Sequence, residues 1–377
     1  MPVSSISFPS DSTSALHAHV DQETEAFLGA LGAELQKWFD HQRQSAVGID
    51  PAACDLVEAI AGLSNSGKRL RAQLLYWGWR AAGGDPLSVI PVQAAAGIEL
   101  FQTAALIHDD VIDRSDTRRS MPSVHKQLEE IHSQNGWDQD PAHFGISAAV
   151  LIGDLALTWS EQVFSSALAL AGYPEKAAED FHRMRTEVMI GQYLDVHAEV
   201  AAAQVPVEDA YHRALQILRF KSAKYSAEHP VVLGFLLAGG TDEKVEQYRE
   251  FALALGEAFQ IRDDVLGIFG DPTTTGKPAG DDLREGKRTV VIAVHMQLAD
   301  TTQKSAVSQV LGNAEATDAQ IAGARTAITS SGALHTVEQA IQQLSQHAAH
   351  GIDALEMEPT VATAFRRILQ AAVHRDH

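Results

Sequence analysis

Two clusters of aspartates, each embedded in an apolar stretch with helical spacing, constrain the fold of this chain more than any other feature. The first contains Asp109, Asp110 and Asp113, and the second contains Asp263 and Asp264. Residues three or four positions apart share one face of a helix, so the carboxylates of the first cluster can converge. Buried carboxylates are rare unless they are paired or bind a metal ion. The pattern therefore predicts two helices that face each other across one metal site.

Apolar residues recur at helical spacing through most of the 377 residues, and no convincing alternation of the kind seen in strands interrupts them. Turn-forming residues divide the chain into about ten segments joined by mostly short loops, with one long excursion over residues 115–142. We therefore predict an all-α fold, a large single-domain helical bundle over residues 15–377. Residues 1–14 are rich in Ser and Pro and are predicted to be a disordered leader. The apolar stretch at 231–240 is too short to span a bilayer, so no integral membrane segment is predicted.

The charge of the chain narrows the classes of partner. With 49 acidic and 29 basic residues, the formal net charge is −20, which argues against a nucleic-acid or anionic-membrane surface. An anionic substrate must therefore meet local positive charge. The single cysteine, Cys54, excludes an intrachain disulfide, and the N-terminus lacks the pattern of a secretory signal. A cytoplasmic location is predicted.

The chemistry of the clusters favours a phosphorylated substrate. Oxygen ligands without nearby Cys or paired His favour Mg²⁺ over zinc, and Mg²⁺ is usually shared with substrate phosphates. Diphosphate oxygens also need Lys or Arg donors. Candidate donors precede a helix, follow the clusters or lie on a later helix: Lys68, Arg71, Arg118, Arg119, Lys221, Lys224, Lys277, Lys287 and Arg288. We predict two basic pockets, one beside the metals and a metal-free one built from residues 67–71 and Arg119.

Besides the two aspartate clusters, an ordered set of motifs runs from about residue 66 to residue 289: Gly67-Lys68-Arg69 with Arg71, Arg118-Arg119, Gly153-Asp154, Gly191-Gln192 with Asp195, Lys221-Ser222, Phe259-Gln260, Gly276-Lys277-Pro278, Asp281-Asp282 and Lys287-Arg288-Thr289. In this order the motifs resemble those of the trans-isoprenyl diphosphate synthases of the short-chain polyprenyl synthetase family, especially geranylgeranyl diphosphate synthases. The resemblance implies an isoprenoid-synthase bundle of about ten or more helices around a central active-site cavity. It also implies a homodimer.

By that resemblance the aspartates would bind roughly three Mg²⁺ ions per active site, with Mn²⁺ as a substitute. The proposed metal ligands are Asp109, Asp110, Asp113, Asp263 and Asp264. The allylic diphosphate would also be held by Arg118, Lys221, Lys277 and Lys287, and isopentenyl diphosphate by Lys68, Arg71, Gln102 and Arg119. Gln260 and Ser222 would lie near the allylic cation. The implied reaction is a head-to-tail 1'-4 condensation that yields an all-trans prenyl diphosphate.

Helix geometry provides an expectation for product length. Ala105, Ala104 and Phe101 stand four, five and eight residues before Asp109, on one face of the predicted helix. An isoprene unit is about 5 Å long, close to the roughly 5.4 Å of a helical turn. Two alanines leave the upper tunnel open, and Phe101 is the first bulky side chain that can form its floor. A C20 product is therefore favoured over C15.

Three positions depart from the family pattern. Gly267 stands where many members have a third aspartate, which puts one contact to the metals in doubt. Ser222 replaces the usual Thr, and Ala72 replaces a Pro. Judged singly, Lys68 and Arg71 are also typical of surface charges at a helix start, and Arg118 and Arg119 are typical of salt-bridge partners.

Two other functions compete with the synthase hypothesis. A class I terpene cyclase shares the helices, the first cluster and metal-triggered ionisation, but it needs no second diphosphate pocket. Its second cluster would be an Asn/Ser/Glu triad rather than Asp263-Asp264. A catalytically silent regulatory subunit of a prenyl diphosphate synthase is favoured only by Gly267.

Overall fold

The computed structural model describes residues 10–65, 67–201, 204–270 and 280–374. The first helices are α1 (Ser10–Ile49), α2 (Cys54–Ser64), α3 (Leu70–Ala81), α4 (Ile90–Ile112), α5 (Val124–Asn135), α6 (Pro141–Leu170) and α7 (Glu175–Ala201). They are followed by α8 (Val207–Leu218), a π-helix (Arg219–Glu228), α9 (His229–Leu237), α10 (Asp242–Phe269) and α11 (Asp281–Glu285). The last are α12 (Val290–Leu298), α13 (Thr301–Ser308), α14 (Asp318–Ser330), α15 (Ala333–Ala354) and α16 (Pro359–Val373). The prediction of an all-α fold is confirmed.

Helix α4 lies at the centre of the bundle. It packs along α6 and also contacts α1 and α3. Its apolar residues, including Ile98, Leu100, Phe101 and Ile107, are buried in one hydrophobic core that extends through most of the helices. The end of α4 that carries the first aspartate cluster is therefore fixed by packing on several sides.

The π-helix is held between two neighbouring helices by close backbone contacts. On α7, a methyl group added to Gly191 would overlap with the backbone of Lys221. On α10, a methyl group added to Gly256 would overlap with the carbonyl of Ala223. Both glycines are thus required for the approach of these backbones. π-Helical turns are rare and often occur at functional sites.

The segment between the first aspartate cluster and α6 contains more structure than the sequence suggested. We expected a long excursion over residues 115–142. The structure has a short antiparallel hairpin, with Thr117–Arg118 paired to Met121–Pro122, followed by α5. Helix α5 forms because Val124, Leu128 and His132 recur at four-residue spacing and are buried.

Two regions bear on the leader and membrane predictions. Helix α1 begins at Ser10, inside the span predicted as a leader, and the earlier residues lie outside the described ones. Within the described ranges, α4 and α6 are long and apolar enough to span a membrane, which is weak evidence by itself. About 67% of the apolar part of α4 is buried in the bundle, against 33% for α6. Helix α9 covers most of the stretch at 231–240 and is buried in the bundle.

Candidate active site

The first aspartate cluster ends α4 and is paired with an arginine from the hairpin. Asp109 and Asp110 lie in the last turn of α4, and Asp113 caps its C-terminus. Arg118 donates from Nε to Asp110 Oδ1 at 2.8 Å and from Nη2 to Asp109 Oδ2 at 3.2 Å. Asp110 is only 1% exposed, so the guanidinium compensates a buried charge.

The middle of α7 supplies a third element of the site. Lys221 Nζ lies 2.5 Å from Asp195 Oδ2 and 3.3 Å from Asp109 Oδ1, so it links α7 to α4. Gln192 Nε2 donates to Asp109 Oδ1 at 3.3 Å. Gln192 and Asp195 share a face of α7 because they are three residues apart. The sequence motif contained both residues, but no role was predicted for them.

The second aspartate cluster lies on α10 as a crowded acidic wall. Gln260 Nε2 donates to Asp264 Oδ1 at 3.1 Å. Burial, followed by the nearby charges of Asp282, Asp263 and Asp195, raises the pKa of Asp264 well above its usual range. The influence of Asp195 indicates that this wall faces α7.

Lys287 connects the two acidic walls. Its Nζ lies 3.0 Å from Asp113 Oδ2 and 2.7 Å from Glu285 Oε2. Burial opposes its charge, but Asp282 and Asp113 are the strongest of several carboxylates that raise the pKa of Lys287 well above its usual range. Glu285, on α11, also accepts a hydrogen bond from Ser115 Oγ at 3.2 Å.

The cations decide which aspartates are ionised. Burial alone would raise the pKa of Asp109, but Lys221, Lys287 and Arg118 together lower it below its usual range. For Asp113, burial and the adjacent charge of Asp109 raise the pKa. The site thus contains ionised carboxylates in a poorly solvated cavity, with basic side chains standing as their counterions.

The carboxylates of the two walls fit a hard divalent cation. Among the described residues, no group of three acidic, His or Cys side chains is already arranged to hold one metal ion. The aspartates of the first wall are instead engaged by Arg118, Lys221 and Lys287. The donors are all oxygens, and the like-charge crowding around Asp264 would be relieved by a cation. That Asp109, Asp110, Asp113, Asp263 and Asp264 would hold Mg²⁺ stays a prediction, and of these residues Asp110 is already bonded to Arg118.

Position 267 has no third aspartate, but a carboxylate occupies the adjacent space. A methyl group added to Gly267 would overlap with the carboxylate of Asp282. The absence of a side chain at 267 therefore allows Asp282, from α11, to lie against α10. Sequence reasoning placed Asp282 in a motif but did not assign it to the second wall, because the contact joins residues from different helices.

A separate basic pocket lies beside the first wall. Arg71 Nη2 donates to Ser226 Oγ at 2.7 Å, and its guanidinium lies 4.2 Å from the centre of the Tyr225 ring. Arg71 Nε and Gln102 Oε1 are buried and make no hydrogen bond within the described part of the chain. A 180° flip of the glutamine amide exchanges its oxygen and nitrogen. With its NH₂ group in this place, Gln102 can donate to an anion together with Arg71 Nε.

Arg119 completes this pocket. It donates from Nη1 to the carbonyl oxygen of Leu63 at 3.1 Å. Burial lowers the pKa of Arg119, and the like charges of Arg118, Arg69 and Arg71 add to the effect against the opposing charge of Glu99. Four arginines close enough to affect one another favour an anionic ligand. Lys68 is exposed at the start of α3, at the edge of this group.

The remaining predicted residues are placed as follows. Ser222 is half-buried on the π-helix next to Lys221. Ala104 and Phe101 are buried and Ala105 is half-buried on α4. Phe101 packs edge-on against Tyr225, with ring centres 5.7 Å apart. Lys277 lies outside the described residues. Lys224 does not face the site and pairs with Glu187 at 2.7 Å.

Comparison with known proteins identifies the family. The sequence model of the polyprenyl synthetase family matches residues 55–328. This chain belongs to the polyprenyl synthetase family. A polyprenyl synthetase is a trans-prenyltransferase, which agrees with basic side chains beside an acidic cavity.

Individual relatives of this polyprenyl synthetase have related activities. The chain is 29% identical to a geranylgeranyl diphosphate synthase of Sulfolobus acidocaldarius, over 78% of this chain and 81% of the relative. It is 31% identical to a (2E,6E)-farnesyl diphosphate synthase of Mycobacterium bovis, over 72% and 71%. It is 35% identical to the crystal structure of a Corynebacterium glutamicum geranylgeranyl pyrophosphate synthase complexed with isoprenyl diphosphate and magnesium, with a TM-score of 0.87 and coverage of 93% and 99%.

Replacing Gly267 with alanine is expected to displace the Asp282 carboxylate, because the new methyl group would overlap with it. We expect Mn²⁺ binding in the presence of inorganic diphosphate to weaken by roughly tenfold, the loss typical of removing a supporting group at a metal site. Titration followed by electron paramagnetic resonance measures the affinity. The control is Gly323→Ala on α14, where an added methyl group meets nothing within 4 Å. Equal Mn²⁺ affinities of the two variants would contradict this role of Gly267.

Proposed function

We propose that this polyprenyl synthetase is a geranylgeranyl diphosphate synthase, which condenses isopentenyl diphosphate with allylic diphosphates up to a C20 product. The observation that carries the proposal is the pair of separate basic pockets. One lies between the acidic walls, at Arg118, Lys221 and Lys287, and the other lies outside them, at Arg71, Gln102 and Arg119. An enzyme that joins two diphosphates needs both pockets, whereas a cyclase acts on one diphosphate.

Each side chain has a defined task in this proposal. Lys221 and Arg118 bind the allylic diphosphate and favour breakage of its C1–O bond by pairing with the leaving group. Arg71, Gln102 and Arg119 hold isopentenyl diphosphate so that its double bond faces the allylic carbon. The new bond joins C4 of isopentenyl diphosphate to that carbon, and a proton from C2 passes to the released diphosphate. Gln260 and Ser222 turn polar groups towards the cation.

The aspartates of both walls are proposed to hold roughly three Mg²⁺ ions per site. When bound, Mg²⁺ neutralises the diphosphate oxygens and stabilises the leaving group. Asp109 and Asp113 on α4 and Asp263 and Asp264 on α10 supply the oxygens. Support comes from the donor chemistry and from the C. glutamicum structure, which is a complex with magnesium.

Incubation of the purified protein with Mg²⁺, isopentenyl diphosphate and the C5, C10 or C15 allylic diphosphate is expected to yield mainly a C20 product. Chain-length analysis of the products is the measurement. Cyclised hydrocarbon would favour a cyclase, and absence of turnover would favour a silent subunit.

Asp109→Asn should lower kcat by roughly 10²–10³-fold, since it removes a carboxylate that is proposed to hold the Mg²⁺ that stabilises the leaving group. Steady-state kinetics of the condensation measure kcat. The control is Asp242→Asn, at an exposed ion pair with Lys176. Equal kcat values of the two variants would contradict this role of Asp109.

Phe101→Ala is expected to lengthen the main product by about one isoprene unit, because it removes the proposed floor of the tunnel. Phe101 is buried and faces the Tyr225 ring, so truncation opens space along α4. Phe39→Ala is the matched control, because Phe39 is equally buried but lies on α1 against Trp159. An unchanged C20 product from Phe101→Ala would show that another residue forms the floor.

A homodimer through α6 and α7 is proposed as the functional assembly. Exposed apolar side chains lie in the first half of α6 and in the middle of α7: Ile146, Val150, Leu151, Met189, Ile190 and Tyr193. Leu151 is 63% exposed, and an apolar patch of this kind on a long helix is typical of an obligate interface. A second copy of the chain fits because it would present an equally apolar surface.

Leu151→Glu is expected to convert the dimer into monomers, because two carboxylates would face an apolar interface. Multi-angle light scattering measures the mass in solution. Leu87→Glu is the control, since Leu87 is 92% exposed and lies between α3 and α4, away from the patch. A monomeric wild-type protein would contradict the proposal.

The cytoplasmic location stays a prediction.

A further inference from the structure

The π-helix carries groups of both proposed diphosphate pockets. Lys221, near its start, bonds to Asp109 and Asp195 of the allylic site. Tyr225 and Ser226, one turn later, contact Arg71 of the second pocket. Any shift of this ten-residue segment along its axis would therefore move the residues of both pockets together.

A buried charge cluster anchors the end of this segment. His229 follows the π-helix directly and is 0% exposed. Its Nδ1 lies 2.8 Å from Asp180 Oδ2, and its Nε2 lies 3.0 Å from Glu187 Oε2. Both carboxylates belong to α7, so the imidazole joins two levels of that helix. The remaining charged groups around it are Arg183 on α7, Lys224 and Glu228 on the π-helix, and Arg249 and Glu246 on α10.

The contacts within the cluster connect three helices. Lys224 Nζ lies 2.7 Å from Glu187 Oε2. Arg249 donates from Nη1 to Glu228 Oε1 at 2.7 Å and from Nη2 to Asp180 Oδ1 at 3.0 Å. Arg183 also pairs with Asp180. Separating the partners of a buried ion pair is strongly destabilising, because it leaves an uncompensated charge in the protein interior. The cluster therefore opposes sliding of the π-helix against α7 and α10.

We propose that His229 is a positioning residue for both diphosphate pockets, acting as a cation that fixes the π-helix against Asp180 and Glu187 of α7. It touches neither substrate and acts through Lys221 at one end and through Ser226 and Tyr225 at the other. The proposal rests on the proposed function, because its effects are measured on the condensation reaction. Nothing in the two-pocket mechanism itself requires this histidine.

The cluster favours the charged form of the imidazole. Both ring nitrogens face carboxylate oxygens. Both nitrogens can donate a hydrogen bond to these oxygens only when each of them carries a proton. Burial opposes the charge, but the hydrogen bonds to Asp180 and Glu187 outweigh it and raise the pKa of His229 above its usual 6.5. The contribution of the charged imidazole to holding the π-helix is therefore complete below pH 6.5. It is lost as pH rises through the raised pKa.

The test compares steady-state kinetics of the wild type and His229→Gln over a pH series, with both substrates varied. Glutamine keeps a hydrogen-bonding group but carries no charge. We expect the KM for both isopentenyl diphosphate and the allylic diphosphate to rise, with kcat/KM reduced about tenfold for each. We also expect the wild type to lose kcat/KM as pH rises through the raised pKa of His229, with an inflection that His229→Gln lacks.

His295→Gln is the matched control. His295 is also 0% exposed and makes two contacts, but these are to the hydroxyl of Ser331 and the carbonyl oxygen of Gln303, without charge. We expect it to lower thermal stability while leaving both KM values and the pH profile unchanged. If both variants changed the kinetics alike, or if His229→Gln kept the wild-type KM values and inflection, the positioning role would be overturned.

Glu187→Gln keeps the test decisive if His229→Gln does not fold. This variant preserves shape and leaves Asp180 on the imidazole, so the same two KM values should rise by a smaller factor. Wild-type KM values in Glu187→Gln would overturn the proposal. An inactive wild type would instead contradict the proposed function, which separates the two failures.

Discussion

Burial of charge is the constraint on which this active site depends. Asp109, Asp110 and Asp195 are held in a poorly solvated cavity, and a buried carboxylate is tolerated only when a cation or hydrogen-bond donors compensate it. Lys221 meets this need for two of the aspartates at once, because it lies between α4 and α7. Arg118 meets it for Asp109 and Asp110. The same cations are the groups to which the proposed function assigns the allylic diphosphate.

The backbone contacts of the π-helix follow from that constraint. Lys221 lies on the π-helix and reaches Asp109 on α4 and Asp195 on α7. Its position depends on Gly191 and Gly256, which allow α7 and α10 to contact the π-helix closely. On the other side of the cavity, Gly267 has a similar effect for Asp282. Charges near the site are therefore positioned by the absence of side chains at these positions. The π-helix then extends to Arg71, so the two pockets share one structural support.

Much of the fold and the site could be predicted from the sequence, and the exceptions have physical reasons. Apolar periodicity identified the helices, and the first aspartate cluster lies on one of them, at the end of α4. The two-residue strands and α5 were missed because Pro122 and the charged residues around it are typical of a loop. Gln192 and Asp195 were seen only as a motif, since nothing in the local sequence indicates which helix they face. Asp282 was missed as part of the second wall for the same reason.

The sequence by itself determined the helical architecture, the two acidic walls and the family, because helical periodicity and the spacing of carboxylates are local properties. Only the tertiary structure decided which cation pairs with which aspartate, how Asp282 comes to lie beside Gly267, and that Lys224 faces a buried cluster with His229 rather than the active site. These facts depend on contacts between residues far apart in the chain. Such contacts arise from the packing of whole helices, and the spacing within one helix carries no record of its neighbours.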